Sequence, residues 1–382
     1  MKNNYQRCIR CILPNTLPVI EFDDQGVCNY CRDYEKSYHD WDKISEQKQN
    51  EFKNLLQAAR KKRRAYDCLV PLSGGKDSTY VLYLCAKVYG MRCLAVTFDN
   101  GQMTLLAKEN IDNALKATNS DHIFYRINAA DMNALFKTFM VKTGDFCTSC
   151  MRAINFSIET AARMFRVPLI IKGSGKRVQY VSQIPLPKKA NSNSSFFFDR
   201  VIKGEKVEEK FRLFRRSGSS RMELFKLALL FKISPSFLMR FFPQAINVYD
   251  YIYMPYPEVI ELIKKEMGWR SHEDSFEHLD CRFHEIPFFI DTKLVERITT
   301  ETFHNSALVR QGIIPREKAL EIEEALLKRM EPPKELLEFL MENGMTYTDF
   351  ENSYNNADPQ KFVPSFEKIL RKIYRALYYK RR

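Results

Sequence analysis

One ten-residue stretch, Leu69–Ser78, most constrains what this chain can fold into. An apolar run (68–72) enters it like a buried strand, and a run with helical spacing leaves it. A short polar loop lies between the two runs and consists of Ser73, Gly74, Gly75, Lys76, Asp77 and Ser78. Glycines let backbone N–H groups approach an anion, a helix N-terminus adds positive potential, and lysine and serine add a charge and hydroxyl donors. The stretch therefore predicts a phosphate site, with a glycine spacing that differs from that of a Walker A loop.

The charge balance indicates what kind of partner the chain binds. The sequence has 60 Lys and Arg against 47 Asp and Glu, which gives a formal net charge of +13. This excess favours an anionic partner such as a nucleotide, a nucleotide-sugar, RNA or a membrane surface, and a basic surface without such a partner is the alternative. The N-terminus lacks the apolar run of a signal peptide, and no apolar stretch is long enough for a transmembrane helix. We therefore expect a cytoplasmic protein with reduced cysteines.

Two cysteine pairs near the N-terminus, Cys8/Cys11 and Cys28/Cys31, have the spacing of a zinc ribbon. They flank a strand-like run, Val19–Phe22, and a short polar turn. Four thiolates complete a tetrahedral Zn²⁺ site and leave no position for a substrate, so we expect a structural metal. Because so small a module has little core of its own, the metal would stabilise its fold.

Strands alternate with helices after the phosphate loop, which predicts a parallel sheet. The predicted strands are 68–72, 93–98, 122–127 and 168–171, and the predicted helices are 78–89, 105–117, 132–141 and 153–165. Ligands of such sheets bind at the carboxyl ends of the strands. We therefore expect the phosphate loop, the turn Asp99–Gly101 and the turn Lys172–Gly175 to lie at one edge.

Composition divides the chain into five regions. We expect a zinc-ribbon module (1–35), a connecting helix (36–66), a phosphate-binding α/β domain (67–186), a basic and amphipathic insertion with a substrate region (187–290) and a helical C-terminal region (291–382). Within the insertion, Met222–Phe242 combines Phe and Leu with interleaved basic residues. This stretch predicts packing against the α/β domain or against a second subunit, as in a homodimer, and contact with a membrane surface is the alternative.

The loop Ser73–Ser78 resembles the PP-loop of ATP pyrophosphatases, also called adenine nucleotide alpha hydrolases. The resemblance implies a Rossmann-type, HUP-like α/β domain that uses ATP and Mg²⁺. It also implies that an acceptor oxygen is adenylated with release of pyrophosphate, after which a nitrogen or sulfur nucleophile displaces AMP.

The resemblance also implies roles for individual residues of this chain. Gly74, Gly75 and Lys76 would hold the phosphates, Ser73 and Ser78 would donate hydrogen bonds to them, and Asp77 would orient the loop or help to hold Mg²⁺. Phe98, Asp99 and Asn100, together with Gly173, would border the adenosine.

The N-terminal module, residues 8–31, is similar to that of N-acetyl sugar amidotransferases, PP-loop enzymes of surface-polysaccharide and nonulosonate biosynthesis. The segments Gly144–Cys150, Pro168–Ile171 and Ser306–Glu317 also resemble this branch. The similarity implies conversion of an acetamido group to an acetamidino group on an anionic sugar or nucleotide-sugar. Because no glutaminase is visible in the chain, a separate glutaminase would supply the ammonia. The chain departs from the branch after the strand 168–171, where Lys172 to Arg177 invert the local charge.

Three further cysteines, Cys147, Cys150 and Cys281, are candidate ligands of a second centre. Three thiolates can hold an iron–sulfur cluster such as [4Fe-4S] and leave one iron open, an arrangement that the resembling PP-loop thiolases use. The alternatives are Zn²⁺ bound by the three thiolates and His278, a catalytic redox or persulfide pair, and unrelated thiols.

Three functions follow as hypotheses, with Lys76, Asp77, Cys147 and Cys150 as the candidate catalytic residues. The first is nitrogen transfer to an N-acetylated sugar. The second is iron–sulfur-dependent sulfur transfer to tRNA or to a small molecule. The third is a regulatory nucleotide-binding module that binds ATP without releasing pyrophosphate.

Overall fold

Five parallel strands form the central sheet of the protein. The computed structural model describes residues 5–17, 19–174, 194–212, 214, 243–271, 280–328, 331–365 and 368–369. The strands are β1 (Cys68–Pro71), β2 (Cys93–Asp99), β3 (Asp121–Arg126), β4 (Leu169–Lys172) and β5 (Gln244–Asn247). Their spatial order is β3-β2-β1-β4-β5, and every neighbouring pair is parallel. This doubly wound order confirms the predicted α/β class.

Helices cover the sheet and form most of the C-terminal region. They are α1 (Asn29–Tyr38), α2 (Trp41–Arg60), α3 (Lys76–Tyr83), α4 (Leu105–Thr118), α5 (Ala129–Thr143), α6 (Thr148–Met164), α7 (Ser195–Ile202), α8 (Glu208–Phe211), α9 (Tyr256–Met267), α10 (Glu285–Leu294), α11 (Thr302–Arg310), α12 (Arg316–Leu327), α13 (Lys334–Glu342) and α14 (Tyr347–Asn356). None of the described helices is long and apolar enough to cross a membrane.

The two faces of the sheet are buried in different apolar clusters. Val70 of β1 packs in one cluster with residues of α2, α3, α4 and α9. Leu69, its neighbour on the strand, packs in another cluster with residues of α6. Because successive side chains of a strand point to opposite faces, this alternation shows that helices cover both faces of β1. The loop that follows β1 is therefore held on a rigid, doubly covered strand.

Several predicted elements differ from the structure. The run Val19–Phe22 forms an isolated bridge between Phe22 and Cys28 rather than a strand, since the small module has no neighbouring sheet to extend. The connecting region contains α2 and the end of α1 rather than one helix. The predicted helix 78–89 is α3 followed by a π-helical turn, Leu84–Val88. The strand β5 was not predicted, and it joins the sheet from within the region 187–290.

Some predictions lie outside the described residues. They concern residues 187–193, 213 and 215–221 of the basic insertion, the amphipathic stretch Met222–Phe242, His278, and the residues Gly175, Lys176 and Arg177. Of the charge-inverted segment, Lys172 is described, and its ammonium donates to Asn155 Oδ1 at 3.4 Å. Burial lowers the pKa of Lys172.

Candidate active site and metal centre

The predicted phosphate loop lies at the switch point of the sheet, where the strand order reverses. It joins β1 to α3, and β4 is the neighbour of β1 on the side away from β2. Gly173, which follows β4, lies so close that a Cβ atom there would be 2.8 Å from the backbone of Asp77. Ligands of open α/β sheets bind in this crevice. The structure thus brings the loop and Gly173 together at the carboxyl edge of the sheet.

Hydrogen bonds within the loop fix its shape. The Ser73 N–H donates to Ser78 Oγ at 3.2 Å, and the Gly75 N–H donates to Ser73 Oγ at 3.3 Å. The hydroxyls of Ser78 and Thr79 both donate to the Gly75 carbonyl at 3.0 Å. The loop is therefore folded onto the first turn of α3, whose positive end favours an anion.

Gly74 is a loop residue with no room for a side chain. Its φ of +83° lies in the left-handed region, and a Cβ atom would be 2.3 Å from the carbonyl oxygen of Ala107 on α4. The Gly74 carbonyl accepts hydrogen bonds from Trp269 Nε1 at 2.9 Å and from Asn110 Nδ2 at 3.3 Å. The left-handed backbone and the close approach of α4 therefore require glycine at this position.

We expect Gly74→Ala to lower the free energy of unfolding by roughly 2–5 kcal/mol. The left-handed backbone accounts for about 1–2 kcal/mol of this loss, and the overlap with Ala107 accounts for about 1–3 kcal/mol. The matched control is Gly204→Ala, since Gly204 has a φ of +79° but nothing within 4 Å of a Cβ atom. Urea unfolding of both variants measures the difference. Equal losses in the two variants would show that the contact with α4 is unimportant.

Lys76 and Asp77 present opposite charges in the first turn of α3. The Lys76 side chain is 7% exposed, and its Nζ is 3.1 Å from Asp77 Oδ2. The ring centroid of Tyr256 is 4.1 Å from the same Nζ, and the Tyr249 hydroxyl donates to Asp77 Oδ1 at 2.7 Å. The sequence pattern did not reveal the two tyrosines or Trp269 as neighbours of the loop, because nothing local relates residues 243–271 to it.

The described segment that begins at residue 280 lies at the carboxyl edge of the sheet, beside the phosphate loop. Burial raises the pKa of the Asp280 carboxyl, and the nearby Ser73 hydroxyl and Lys76 charge oppose this shift. The next residue, Cys281, pairs with Met103 in an antiparallel bridge just after β2. The segment therefore links the phosphate loop to the candidate cysteine site.

Two histidines of the C-terminal region lie near Lys76. Burial and the Lys76 charge lower the pKa of His284, which precedes α10, to about 3. The same two causes lower the pKa of His304, on α11, to about 4, and the Asp77 charge opposes them. Both imidazoles are therefore neutral near pH 7 and offer hydrogen-bonding groups rather than charge. Neither histidine was assigned a role from the sequence.

Cys150 and Cys281 meet at the side chain of Asn100. The Asn100 amide donates to Cys150 Sγ at 3.4 Å and to Cys281 Sγ at 3.5 Å. Burial raises the pKa of the Cys150 thiol to about 12, so this thiol is neutral unless a metal stabilises its thiolate. Cys147 is the half-buried residue before α6, and within the described part of the chain the three sulfurs do not form a set within 4.8 Å of one another. That these cysteines hold a [4Fe-4S] cluster stays a prediction.

Phe98 and Asp99 lie at the carboxyl end of β2. Asp99 is buried, forms an ion pair with Arg126 at 2.6 Å and accepts a hydrogen bond from the Gly101 N–H at 2.8 Å. Phe98 stacks on Tyr125 with ring centroids 6.0 Å apart. The Asp99 carboxylate is therefore engaged with β3 and with its own turn. That the two residues border adenosine stays a prediction.

The four N-terminal cysteines form a set suited to one metal ion. Their sulfurs are buried and all lie within 4.8 Å of one another. The Sγ atoms of Cys8 and Cys31 are 3.8 Å apart, as are those of Cys11 and Cys28. Zn–S bonds of about 2.3 Å in a tetrahedron place the sulfurs about 3.8 Å apart. The donor set and its spacing therefore fit Zn²⁺.

A cationic group near the cysteine set, the guanidinium of Arg310, also fits a bound metal. Four thiolates carry more negative charge than one Zn²⁺ ion neutralises. Hydrogen bonds with Cys28 and Cys31 lower the pKa of Cys11, and the charge of Arg310 contributes to this shift. The Nη1 atom of Arg310 is buried and has no hydrogen-bond partner among the described residues. An arginine charge at this place compensates a thiolate–metal centre better than it would four neutral thiols.

The cysteine module packs against α11 and α12, which contain parts of the segment Ser306–Glu317. The guanidinium of Arg316, the first residue of α12, donates to the Cys8 carbonyl at 2.9 Å and 3.1 Å and to the Cys11 carbonyl at 2.9 Å. Phe303 of α11 is part of the apolar cluster around the cysteines. His304, the next residue of α11, lies near Lys76. One helix therefore packs on the metal module through Phe303 and carries an imidazole that feels the charge of Lys76.

No model of a protein family matches the chain. One curated relative is the uncharacterized protein MJ1599 of Methanocaldococcus jannaschii, which is 27% identical over 168 residues, or 44% of this chain. The chain spans 58% of the length of that relative.

Three solved structures are similar at low identity. The U34-tRNA thiolase NcsA from Methanococcus maripaludis, solved with its [4Fe-4S] cluster, has a TM-score of 0.36 and 14% identity and covers 85% of this chain and 89% of its own. The NH3-dependent NAD synthetase from Campylobacter jejuni, solved with nitrate, has a TM-score of 0.31 and 14% identity and covers 60% of this chain and 94% of its own. The NMN synthetase from Francisella tularensis has a TM-score of 0.27 and 13% identity and covers 65% of this chain and 97% of its own. The α/β class of the chain rests on its own strand order and loop position.

Proposed function

We propose that the protein is an ATP-dependent adenylating enzyme of the PP-loop type. One observation carries this proposal: the Ser73–Ser78 loop joins β1 to α3 at the switch point, with Lys76 and Asp77 in the first helical turn. An anion in this place meets the positive end of a helix, loop N–H groups and an ammonium. The triphosphate of ATP is an anion that suits this arrangement.

The proposed reaction has two steps. An acceptor oxygen attacks the α-phosphorus of ATP, the bond to the bridging oxygen of pyrophosphate breaks, and the acceptor becomes its adenylate. A nucleophile then adds to the activated carbon and loses a proton, and AMP leaves with the acceptor oxygen. Lys76 and the loop N–H groups would neutralise charge on the leaving pyrophosphate. Asp77 would help to hold Mg²⁺, which supplies further neutralisation when bound.

For the second step we propose nitrogen as the nucleophile and an N-acetylated sugar or nucleotide-sugar as the acceptor. This proposal rests on the sequence resemblance of several segments to sugar amidotransferases, two of which pack together. The resembling tail segment Ser306–Glu317 includes Arg316, which binds the carbonyls of Cys8 and Cys11 in the resembling N-terminal module. A separate glutaminase partner would supply the ammonia.

Sulfur transfer to tRNA or to a small molecule is a second candidate. The meeting of Cys150 and Cys281 at Asn100, beside the carboxyl end of β2, favours it. Two thiols that converge near a nucleotide site could hold a cluster together with Cys147, which lies before α6. Nitrogen transfer does not require this convergence.

Release of pyrophosphate from ATP in the presence of different acceptors tests the proposed function. The acceptors are N-acetylated sugars, their nucleotide-linked forms and bulk tRNA, each with ammonium or with sulfide. We expect one acceptor class to raise the rate above that with ATP alone. ATP binding without stimulated release by any acceptor would favour the regulatory module over an enzyme.

Anaerobic purification separates the two nucleophiles. If nitrogen is transferred, we expect a colourless protein with zinc in the N-terminal module and a product that contains the nitrogen of labelled ammonium. A visible absorption band of an iron–sulfur cluster, lost in a Cys150→Ser variant and accompanied by a sulfur-containing product, would favour sulfur transfer instead.

A further inference from the structure

Three aromatic residues after β5 reach the phosphate loop from outside the β1–α3 unit. Trp269 Nε1 donates to the Gly74 carbonyl at 2.9 Å. The Tyr249 hydroxyl donates to Asp77 Oδ1 at 2.7 Å. The ring centroid of Tyr256 lies 4.1 Å from Lys76 Nζ. The segment 249–269 therefore touches the turn, the cation and the carboxylate of the loop.

The environment of the Lys76 ammonium explains why an aromatic ring is needed there. Its side chain is 7% exposed, so most of its hydration is lost. A buried ammonium requires compensating groups, and the face of an aromatic ring attracts a cation more strongly when water is excluded. Asp77 Oδ2 at 3.1 Å supplies one such group, and the Tyr256 ring supplies another. Together they fix the direction in which the ammonium points.

The Asp77 carboxylate is fixed in a similar way from β5. Tyr249 lies in the turn directly after β5 and is 2% exposed. Its ring stacks on buried Tyr80 of α3 with centroids 6.2 Å apart, which holds the hydroxyl in place. The hydroxyl binds Asp77 Oδ1, while Lys76 lies next to Oδ2. Both carboxylate oxygens therefore have defined partners.

We propose that Tyr249 and Tyr256 are positioning residues of the nucleotide site, which hold Asp77 and Lys76 in the geometry that binds the phosphates of ATP. The inference rests on the proposed ATP-binding function of the loop. Tyr256 acts through its ring, because its hydroxyl is buried without a hydrogen-bond partner among the described residues. Tyr249 acts through its hydroxyl.

Substitutions at Tyr256 test this division of roles in the full-length protein. We expect Tyr256→Leu to raise KM for ATP by about tenfold or more, since the cation loses its ring. Tyr256→Phe should stay within about twofold of the unaltered protein, since the ring remains and the hydroxyl has no bond to lose. Tyr249→Phe should lower kcat/KM for ATP by about tenfold, because the carboxylate loses a hydrogen bond. Tyr253→Phe is the control, since that hydroxyl donates to Gln311 Oε1 at 3.3 Å rather than to the loop.

A second series keeps the shape of the site and changes the ring electronics. Phenylalanines with increasing numbers of fluorine atoms at position 256 weaken the attraction for a cation without removing volume. We expect affinity for a non-hydrolysable ATP analogue, measured by calorimetry, to fall with each fluorine while the unfolding temperature stays nearly constant. Affinity independent of fluorination, with normal ATP binding by the unaltered protein, would overturn the positioning role alone. Absence of ATP binding by the unaltered protein would overturn the proposed function as well.

Discussion

Lys76→Met will lower kcat/KM for pyrophosphate release by about 100-fold or more, which is the usual loss when one preorganised group that stabilises developing charge is removed. Methionine fills the space of the lysine stem but brings no ammonium to the phosphates. The loss should occur in kcat as well as in KM, because charge grows on the pyrophosphate as its bond breaks. Initial rates of pyrophosphate release over a range of ATP concentrations measure both constants.

The matched control for this variant is Lys87→Met. Lys87 is exposed in the π-helical turn that follows α3, so it belongs to the same continuous helical segment but lies away from the crevice. Its replacement should leave both constants unchanged. Equal activity of Lys76→Met and Lys87→Met would mean that the buried ammonium takes no part in the reaction.

Cys28→Ser will remove the metal from the N-terminal module and weaken the whole chain. Structural zinc supplies much of the folding free energy of small modules, so we expect the unfolding temperature to fall by roughly 5 °C or more. Activity should fall as well, because α11 packs Phe303 into the module and carries His304 near Lys76. Metal analysis, thermal unfolding and pyrophosphate release measure the three effects.

Cys85→Ala is the matched control for the metal ligand. Cys85 is as buried as Cys28 but lies in the main apolar cluster with Cys68 and Cys93. Its replacement should cost some stability through lost packing and leave the zinc content unchanged. Full zinc occupancy in Cys28→Ser would contradict the four-cysteine site, and loss of zinc with unchanged activity would contradict the link through α11.

The strands that the sequence predicts well are those with strong apolar signals. Cys68–Pro71 and Leu169–Lys172 are runs of buried residues that end in polar or glycine-containing turns, and both form central strands. Gln244–Asn247 is a short edge strand with a polar residue at each end, so it lacks an apolar run of this kind. The π-helical turn Leu84–Val88 was also missed, because a change in hydrogen-bond register leaves the apolar spacing nearly intact.

The residues of the candidate site also differ in how well the sequence predicts them. Residues of the phosphate loop and the four metal ligands are encoded by local spacing, and the structure places each set together. Tyr249 and Tyr256 come to the loop from distant segments, and only the packing of β5 and α9 brings them there. Local sequence patterns contain no information about such contacts.

The transfer of oxygen from acceptor to AMP tests the central claim most directly. An acceptor labelled with heavy oxygen in the carbonyl that is activated is incubated with ATP, Mg²⁺ and the nucleophile, and AMP is analysed by mass spectrometry. Adenylation of the acceptor predicts one heavy oxygen in AMP and none in pyrophosphate, whether nitrogen or sulfur is transferred. Unlabelled AMP, or formation of ADP and phosphate instead, would contradict the account.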